Sequence, residues 1–208
     1  KDHLDQSLVS LEYGQFQTQR ILGMFNLLSS DQDSKDQDAY VAISYLSSDG
    51  PFESTQDFNR LNLFGKFTQR IGNDRLSVQL SHFQSKWDAS GQIPQRLVDD
   101  GTITRFGAVD DTEGGQTSRS NINLQYVKSL ATNRFLKTRV FFSQYDFDLY
   151  SNFTFFLNDP INGDQIYQSE ERSIFGMESI LFQNMKWLDS SLYLRAGVGL
   201  RYDDVNEN

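Results

Sequence analysis

The sequence predicts an all-β protein made of antiparallel up-and-down strands, about nine of them, that belong to a larger transmembrane β-barrel. The first observation is alternation: in Asn121–Tyr126, apolar residues alternate with amide residues. Because successive side chains of a strand point to opposite faces, this stretch has one apolar and one polar face. The second is length. The alternation from Leu192 to Tyr202 is about as long as a tilted strand that crosses a bilayer, and longer than an ordinary strand. The third observation is that short and long connections alternate along the second half of the chain, as described below.

The first half of the chain contains five strand-like segments, at about 6–13, 17–28, 38–46, 57–70 and 75–83. In each, the apolar residues share one side of the alternation. They are Val9, Leu11 and Tyr13; Ile21, Phe25 and Leu27; Ala39, Val41, Ile43 and Tyr45; Leu61, Leu63 and Phe67; and Leu76, Val78 and Leu80. The other side of the second segment is mixed. Glycine-containing turns follow the first, third and fourth segments, at Gly14, Gly50 and Gly72, as expected where a strand must reverse direction.

Four more segments are predicted at about 118–127, 135–145, 172–185 and 192–202. The seventh alternates Leu136, Thr138, Val140 and Phe142 with polar or aromatic residues. The eighth has less contrast between its two sides. Basic residues fall on the side opposite the apolar one, which is the predicted barrel interior, where charge is tolerated. These residues are Lys137, Arg139, Arg195 and Arg201.

The connections alternate in length through the second half. Short connections are predicted at 71–74, 128–133 and 187–190, and long ones at 84–117 and 146–171. Transmembrane barrels have short turns on the periplasmic side and longer loops on the outside. The two long connections are therefore predicted to be outer loops. The first half lacks this contrast, because the acidic connection at 29–37 is as long as the one that follows Asp49.

The composition is compatible with this prediction. Hydrophobic residues make up 38% of the chain, the mean hydropathy is −0.54, and there are 17 Phe, 9 Tyr and only 3 Pro. No apolar run approaches the roughly 18 residues of a membrane helix. A barrel strand exposes only every second residue to lipid, so low hydropathy argues against membrane helices and not against a barrel.

Charge and cysteine content exclude other classes. The net charge is −9 and there is no cysteine. An acidic protein is a poor partner for nucleic acid, and without cysteine no disulfide reports the redox compartment.

Lys1 is not followed by a charged and then apolar leader, and the last alternating run ends close to Asn208. We therefore expect the chain to be an internal section of a longer barrel.

Several strings in and around the connections resemble the barrel domain of TonB-dependent outer-membrane receptors. They are residues 81–94 (SHFQSKWDASGQIP), 49–53 (DGPFE), 62–66 (NLFGK) and 150–160 (YSNFTFFLNDP). Together with the strand order, the resemblance covers nearly all of the chain and corresponds to the early part of that barrel. A complete receptor barrel closes with about 22 strands, so this chain would supply part of the wall.

The resemblance implies a location and a set of partners. Such receptors lie in the outer membrane of Gram-negative bacteria and actively take up a scarce ligand, such as an iron chelate (siderophore), a vitamin or a glycan. The implied partners are outer-membrane lipid, the small-molecule or glycan ligand, a plug domain, the remaining barrel strands, and the TonB complex, which acts through the plug. Neither a plug nor a TonB-contact segment is recognised within the sequence.

Catalysis, metal binding and a cofactor are not predicted. His3 and His82 are the only histidines, and no residue set has metal-ligand spacing or combines an acid, a base and a nucleophile. The acidic string around Gly163 lacks the terminal glutamate of a calcium loop. A tight turn at Asn162–Gly163 explains that string better.

The long connections hold the candidate ligand-binding residues, because aromatic and arginine side chains combine contact area with directed hydrogen bonds. The candidates are Trp87, Arg96, Arg105, Phe106, Phe153, Phe155 and Phe156. The alternative is that they pack the loops together or belong to an aromatic belt. Two other functions also stay open: a passive porin-like channel, and a soluble all-β binding module with short strands packed against a second sheet.

Overall fold

The computed structural model describes residues 4–28, 36–161, 163–188 and 190–207. These residues form one nine-stranded antiparallel sheet in which each strand pairs with the next along the chain. The strands are β1 (Leu8–Tyr13), β2 (Gln19–Leu28), β3 (Gln37–Ser48), β4 (Phe58–Ile71), β5 (Asp74–Ala89), β6 (Glu113–Ala131), β7 (Arg134–Ser151), β8 (Ile166–Trp187) and β9 (Ser190–Glu207). One short helix, α1 (Gln95–Asp99), lies between β5 and β6. The predicted all-β, up-and-down fold is confirmed.

The strand pairing aligns the apolar residues of neighbouring strands in rows. One row runs Phe67, Val78, Leu124, Val140, Met177 and Leu200. We call the side of the sheet that carries this row and Ile122 the apolar face, and the opposite side, which carries Asn121 and Asn123, the polar face. The two faces follow directly from the alternation in the sequence.

No second layer covers the apolar face in the described part of the chain. None of the described apolar side chains is buried, and Ile122, Leu124, Val198 and Leu200 are 50%, 40%, 76% and 68% exposed. A β-sandwich would bury these side chains between two sheets. The two-layer arrangement expected of a soluble all-β module is therefore not seen in these residues.

The apolar band crosses the strands obliquely. The row that contains Val9, Ile43 and Leu63 in β1, β3 and β4 continues as His82 in β5 and Ser120 in β6. A band that stays level with a membrane must shift from row to row when the strands are tilted against it. The shift is therefore what a section of a tilted barrel requires.

The long connections are shorter than predicted because the strands continue beyond the apolar alternation. The expected loop at 84–117 is reduced to 90–112, and the one at 146–171 to 152–165. Backbone pairing extends to Ala89↔Glu113 and Ser151↔Ile166, through stretches where polar residues such as Gln84, Asp146 and Asp148 lie on the face that is apolar in the middle of the sheet. Backbone hydrogen bonds do not depend on hydrophobicity, so the end of the apolar pattern was the wrong marker for the end of a strand.

The two ends of the sheet differ in their connections. At one end, β4–β5 and β6–β7 are joined through residues 72–73 and 132–133, and β8 is followed closely by β9. Gly72, with φ of 61°, adopts the left-handed conformation that such a turn needs. At the other end lie the short connection 14–18 and the longer connections 49–57, 90–112 and 152–165. From β4 onward, short and long connections alternate along the chain, whereas most of the 29–37 connection lies outside the described residues. None of the described helices is long and apolar enough to cross a membrane.

Candidate ligand-recognition surface

The first two long loops are joined to each other. We name them by the strands that they connect: the β3–β4 loop (49–57), the β5–β6 loop (90–112) and the β7–β8 loop (152–165). The rings of Phe52 and Phe106 meet edge to face with centroids 6.4 Å apart. The Glu53 N–H donates to the Phe106 carbonyl at 2.9 Å, and Thr104 Oγ1 donates to Glu53 Oε1 at 2.6 Å. Phe106 is thus part of a contact between loops.

The β5–β6 and β7–β8 loops are joined near the strand ends. Asn152 Nδ2 donates to Asp110 Oδ2 at 2.8 Å, and Gln165 Nε2 donates to Thr112 Oγ1 at 2.7 Å. Asn152 is only 3% exposed. Burial alone would raise the pKa of Asp110, but the hydrogen bonds from Asn152 and Thr112 outweigh it and hold that pKa below its usual value. The three loops therefore form one connected group, which we call the loop assembly.

Asp164 organises the tip of the β7–β8 loop. Its carboxylate accepts hydrogen bonds from the Asn158 and Asp159 N–H groups at 2.9 and 2.7 Å and from Thr154 Oγ1 at 2.7 Å. The backbone hydrogen bond from Asn158 is the largest cause that lowers the pKa of Asp164, and Thr154 and Asp159 add to it. Gly163, with φ of 85°, donates its N–H to the Asp159 carbonyl at 3.0 Å, whereas Asn162 of the predicted turn lies outside the described residues.

This ordered loop presents apolar side chains to solvent. Phe153 and Phe156 are 62% and 53% exposed, and Leu157 and Ile161 are exposed still further. Phe155 is half-buried, with φ of 58° in the left-handed region. Such a conformation is uncommon for a bulky residue and is maintained here by the surrounding loop, since the Asp164 N–H donates to the Phe155 carbonyl.

Trp87 does not belong to a loop, which corrects the sequence prediction. It lies in β5 on the polar face, paired with Gly115 of β6. A Cβ atom added to Gly115 would come within 2.9 Å of Trp87 Cζ2. The indole therefore covers the glycine. The side chains of β5 continue to alternate between the two faces as far as Trp87, beyond the apolar residues by which the strand was recognised in the sequence.

The two predicted arginines lie in the β5–β6 loop. Arg96 is in α1, and Arg105 precedes Phe106 in the part of the loop that contacts the β3–β4 loop. Both are exposed. They and the exposed phenylalanines of the β7–β8 loop thus lie at the same end of the sheet, on loops that are joined by hydrogen bonds.

The polar face carries further basic residues that sequence reasoning did not single out. The Arg119 guanidinium lies 4.8 Å from the Tyr145 ring centroid, and Arg172 forms a 2.8 Å ion pair with Glu170. Both lie closer to the loop end than Arg139, which pairs with Glu178 at 3.3 Å. Arg119 lies two and four positions before Asn121 and Asn123. Because every second residue of a strand points to the same face, the sequence could have predicted Arg119 on the polar face.

Metal chemistry finds no support in the described residues, which contain no group of three or more histidine, aspartate or glutamate side chains that could hold an ion. His82 Nδ1 shares a 2.9 Å hydrogen bond with Ser120 Oγ, and His3 lies outside the described residues. The Asp164 carboxylate is occupied by donors of its own loop.

Comparison with known proteins identifies the fold. No protein-family profile and no curated protein matches the sequence. Among solved structures, the open form of the ferric-catecholate import receptor Fiu from E. coli K12 matches with a TM-score of 0.75 and 11% sequence identity, over 99% of this chain and 35% of that one. The chain thus spans about a third of the length of that receptor. At this identity the match shows the fold alone: the chain has the fold of a section of a TonB-dependent receptor β-barrel.

Proposed function

We propose that this chain forms part of the wall and the recognition loops of a TonB-dependent receptor, which takes up a scarce ligand across the outer membrane of a Gram-negative bacterium. The main support is the apolar face, where side chains that are 40–76% exposed belong to continuous rows that no other part of the described chain covers. Lipid is the environment that makes such a face favourable. The fold match supports the same proposal.

Each part of the structure has a role in this proposal. The apolar face contacts lipid, and the polar face lines the barrel interior, where a plug domain and the remaining strands complete the receptor. The loop assembly recognises the ligand, and the plug connects the receptor to the TonB complex. The side chains assigned to ligand contact are Arg96 and Arg105 in the β5–β6 loop and Phe153 and Phe156 in the β7–β8 loop.

The ligand class is a scarce iron chelate, a vitamin or a glycan. The similar solved structure is named an importer of ferric catecholate, so iron–catechol chelates are the first class to test. Aromatic and guanidinium side chains suit such ligands because they combine stacking on flat rings with attraction for negative charge. No reaction is proposed for the chain, since ligand uptake needs none.

The test is uptake of a radiolabelled ferric catecholate by cells that express the full gene, with and without a functional TonB. We expect saturable uptake that disappears without TonB, and weaker uptake after Phe153→Ala combined with Phe156→Ala. Gln92→Ala, in an exposed part of the β5–β6 loop, is the matched control. Non-saturable uptake that persists without TonB would favour a passive channel instead.

A further inference from the structure

Basic and acidic residues of β4–β7 lie on opposite faces of the sheet. Most of the basic residues lie on the polar face, and we call this group the cationic track: Arg60, Lys66, Arg70, Arg75, Arg119, Lys137 and Arg139. The other basic residues of these strands, Lys86, Lys128 and Arg134, lie on the apolar side. So do the acidic residues Asp74, Asp88, Asp146 and Asp148.

One acidic residue of these strands remains. Glu113, the first residue of β6, is only 7% exposed. In a chain with a net charge of −9, the polar face of β4–β7 is thus positively charged.

The charged residues of the flanking strands form ion pairs with their neighbours. The pairs are Arg20 with Glu12, Arg172 with Glu170, Arg201 with Asp203 and Arg139 with Glu178, with N–O distances of 3.0, 2.8, 2.8 and 3.3 Å. Asp38 of β3, opposite Thr68 of β4, adds a negative charge toward the end with the short turns. At the loop end, by contrast, Arg60 and Arg119 form no ion pair with a described residue. The positive charge is therefore least balanced just below the loops.

The cationic track runs along the whole length of the strands. Arg60 and Arg119 are nearest the loops. Toward the short turns follow Lys66 in the row of Asn123, Arg139 in the row of Gln125, and Arg70, Arg75 and Lys137 in the row of Val127. With a rise of about 3.3 Å per residue, the row of Arg119 and that of Val127 are about 26 Å apart. This distance is close to the height of the apolar band of a transmembrane barrel, about 25 Å.

Aromatic side chains surround the loop end of the track. Arg119 is exposed, and its guanidinium lies 4.8 Å from the ring centroid of Tyr145. Phe83 of β5 pairs directly with Arg119, and Trp87 lies further along β5 on the same face. Guanidinium groups beside aromatic rings suit a ligand that is both flat and negatively charged.

We propose that the cationic track guides a negatively charged ligand through the barrel, from the loop assembly toward the short turns. This proposal rests on the proposed function and extends it by naming the charge of the ligand and the part of the wall along which it moves. A row of like charges raises the local concentration of ions of the opposite sign. Several weak contacts in series also let a ligand enter and leave, whereas one tight site would retain it.

Binding to the purified full-length protein tests the loop end. The probes are a ferric tris-catecholate, which is an anion, and a ferric tris-hydroxamate, which is neutral. We expect tighter binding of the anion. Arg60→Gln and Arg119→Gln should each weaken that binding about two- to fivefold, the range that exposed ion pairs give, and should leave binding of the neutral chelate unchanged. Lys86→Gln is the matched control, because it removes a cation at nearly the same level from the apolar side.

Uptake by cells that express the full gene tests the end with the short turns. Arg70→Gln combined with Lys137→Gln should lower the maximal rate of ferric catecholate uptake about two- to fivefold. Binding of the chelate to cells without functional TonB should stay the same, because these residues lie far from the loops. Lys128→Gln, next to the row of Lys137 but on the apolar side, is the control and should leave both quantities unchanged.

Four results would overturn the proposal: no binding of the anion, equal or tighter binding of the neutral chelate, equal effects of Arg119→Gln and Lys86→Gln, or equal effects of the turn-end double variant and Lys128→Gln. Loss of thermal stability in that double variant, with an unchanged uptake rate, would indicate that the track holds the plug and would also overturn it. TonB-dependent uptake of an uncharged ligand alone would contradict the track and leave the proposed function intact. Absence of any TonB-dependent uptake contradicts both.

Discussion

The middle of the sheet and its loop end use the same strands in different ways. In the middle, the apolar face of β6 and β7 carries Ile122, Leu124 and Val140, and the opposite face is polar. At the loop end the same face of the same strands carries Ser118 and Asp146, which bond to each other. Backbone pairing is unbroken between the two levels. The difference shows that backbone pairing, and not the apolar pattern, determines where a strand ends.

A charge in the middle of the apolar face should have the largest effect. Leu124→Arg should destabilise the membrane-inserted protein by about 2–4 kcal/mol, the cost of an arginine at the midplane of a barrel. Reversible unfolding from vesicles in denaturant measures it. Asn123→Arg, next to it on the polar face, should cost much less, and equal costs for the two variants would contradict the assignment of the faces.

Filling a glycine on the polar face should have the next largest effect. Gly176 of β8 is paired with Phe141 of β7, and a Cβ atom there would overlap the Phe141 ring. Gly176→Val should therefore displace the ring and cost about 1–3 kcal/mol, as overpacking does. The same unfolding measurement applies. Gly65→Ala is the control, because its added methyl group makes only an ordinary contact with Val41.

At the loop end, breaking the contact between loops should have a smaller and local effect. Asn152→Ala removes the donor that the β7–β8 loop supplies to the Asp110 carboxylate, at a cost of about 1 kcal/mol, because Thr112 still donates to that carboxylate. We expect faster amide hydrogen exchange in both the β5–β6 and β7–β8 loops, with unchanged exchange at the centre of β6. Gln92→Ala should leave both loops unchanged, and exchange confined to one loop would show that the loops are independent.

The smallest expected effect is that of pH on the β7–β8 loop. The pKa of Asp164 is lowered by hydrogen bonds to its carboxylate, above all the one from the Asn158 N–H. Its contribution to loop stability is therefore complete above the ordinary carboxyl pKa and is lost as the pH falls through the lowered value. Amide exchange of Asn158 and Asp159, corrected for intrinsic rates, should rise in acid. Asp164→Asn should remove this pH dependence, and a dependence that persists would assign it to another group.

For most residues of the candidate site, the sequence could predict the loop in which a residue lies but not its contacts. Aromatic and arginine residues between the fifth and eighth strands predict recognition loops, and Arg96, Arg105, Phe153 and Phe156 do lie in the connections between strands. Trp87 was wrongly predicted to lie in a loop, because β5 continues as a paired strand through residues that are not apolar. The contact of Phe106 with Phe52 joins residues far apart in the chain, and no local pattern indicates such a contact.

The sequence by itself determined the strand order, the two faces and the alternation of short and long connections, because a period of two residues and turn-forming residues act over short distances. The tertiary structure decided where the strands end, which loops touch, and which residues of neighbouring strands lie side by side. These depend on register across several strands, which aligns residues such as Gly65, Leu80 and Ile122. A single strand contains no information about which residue of its neighbour lies opposite.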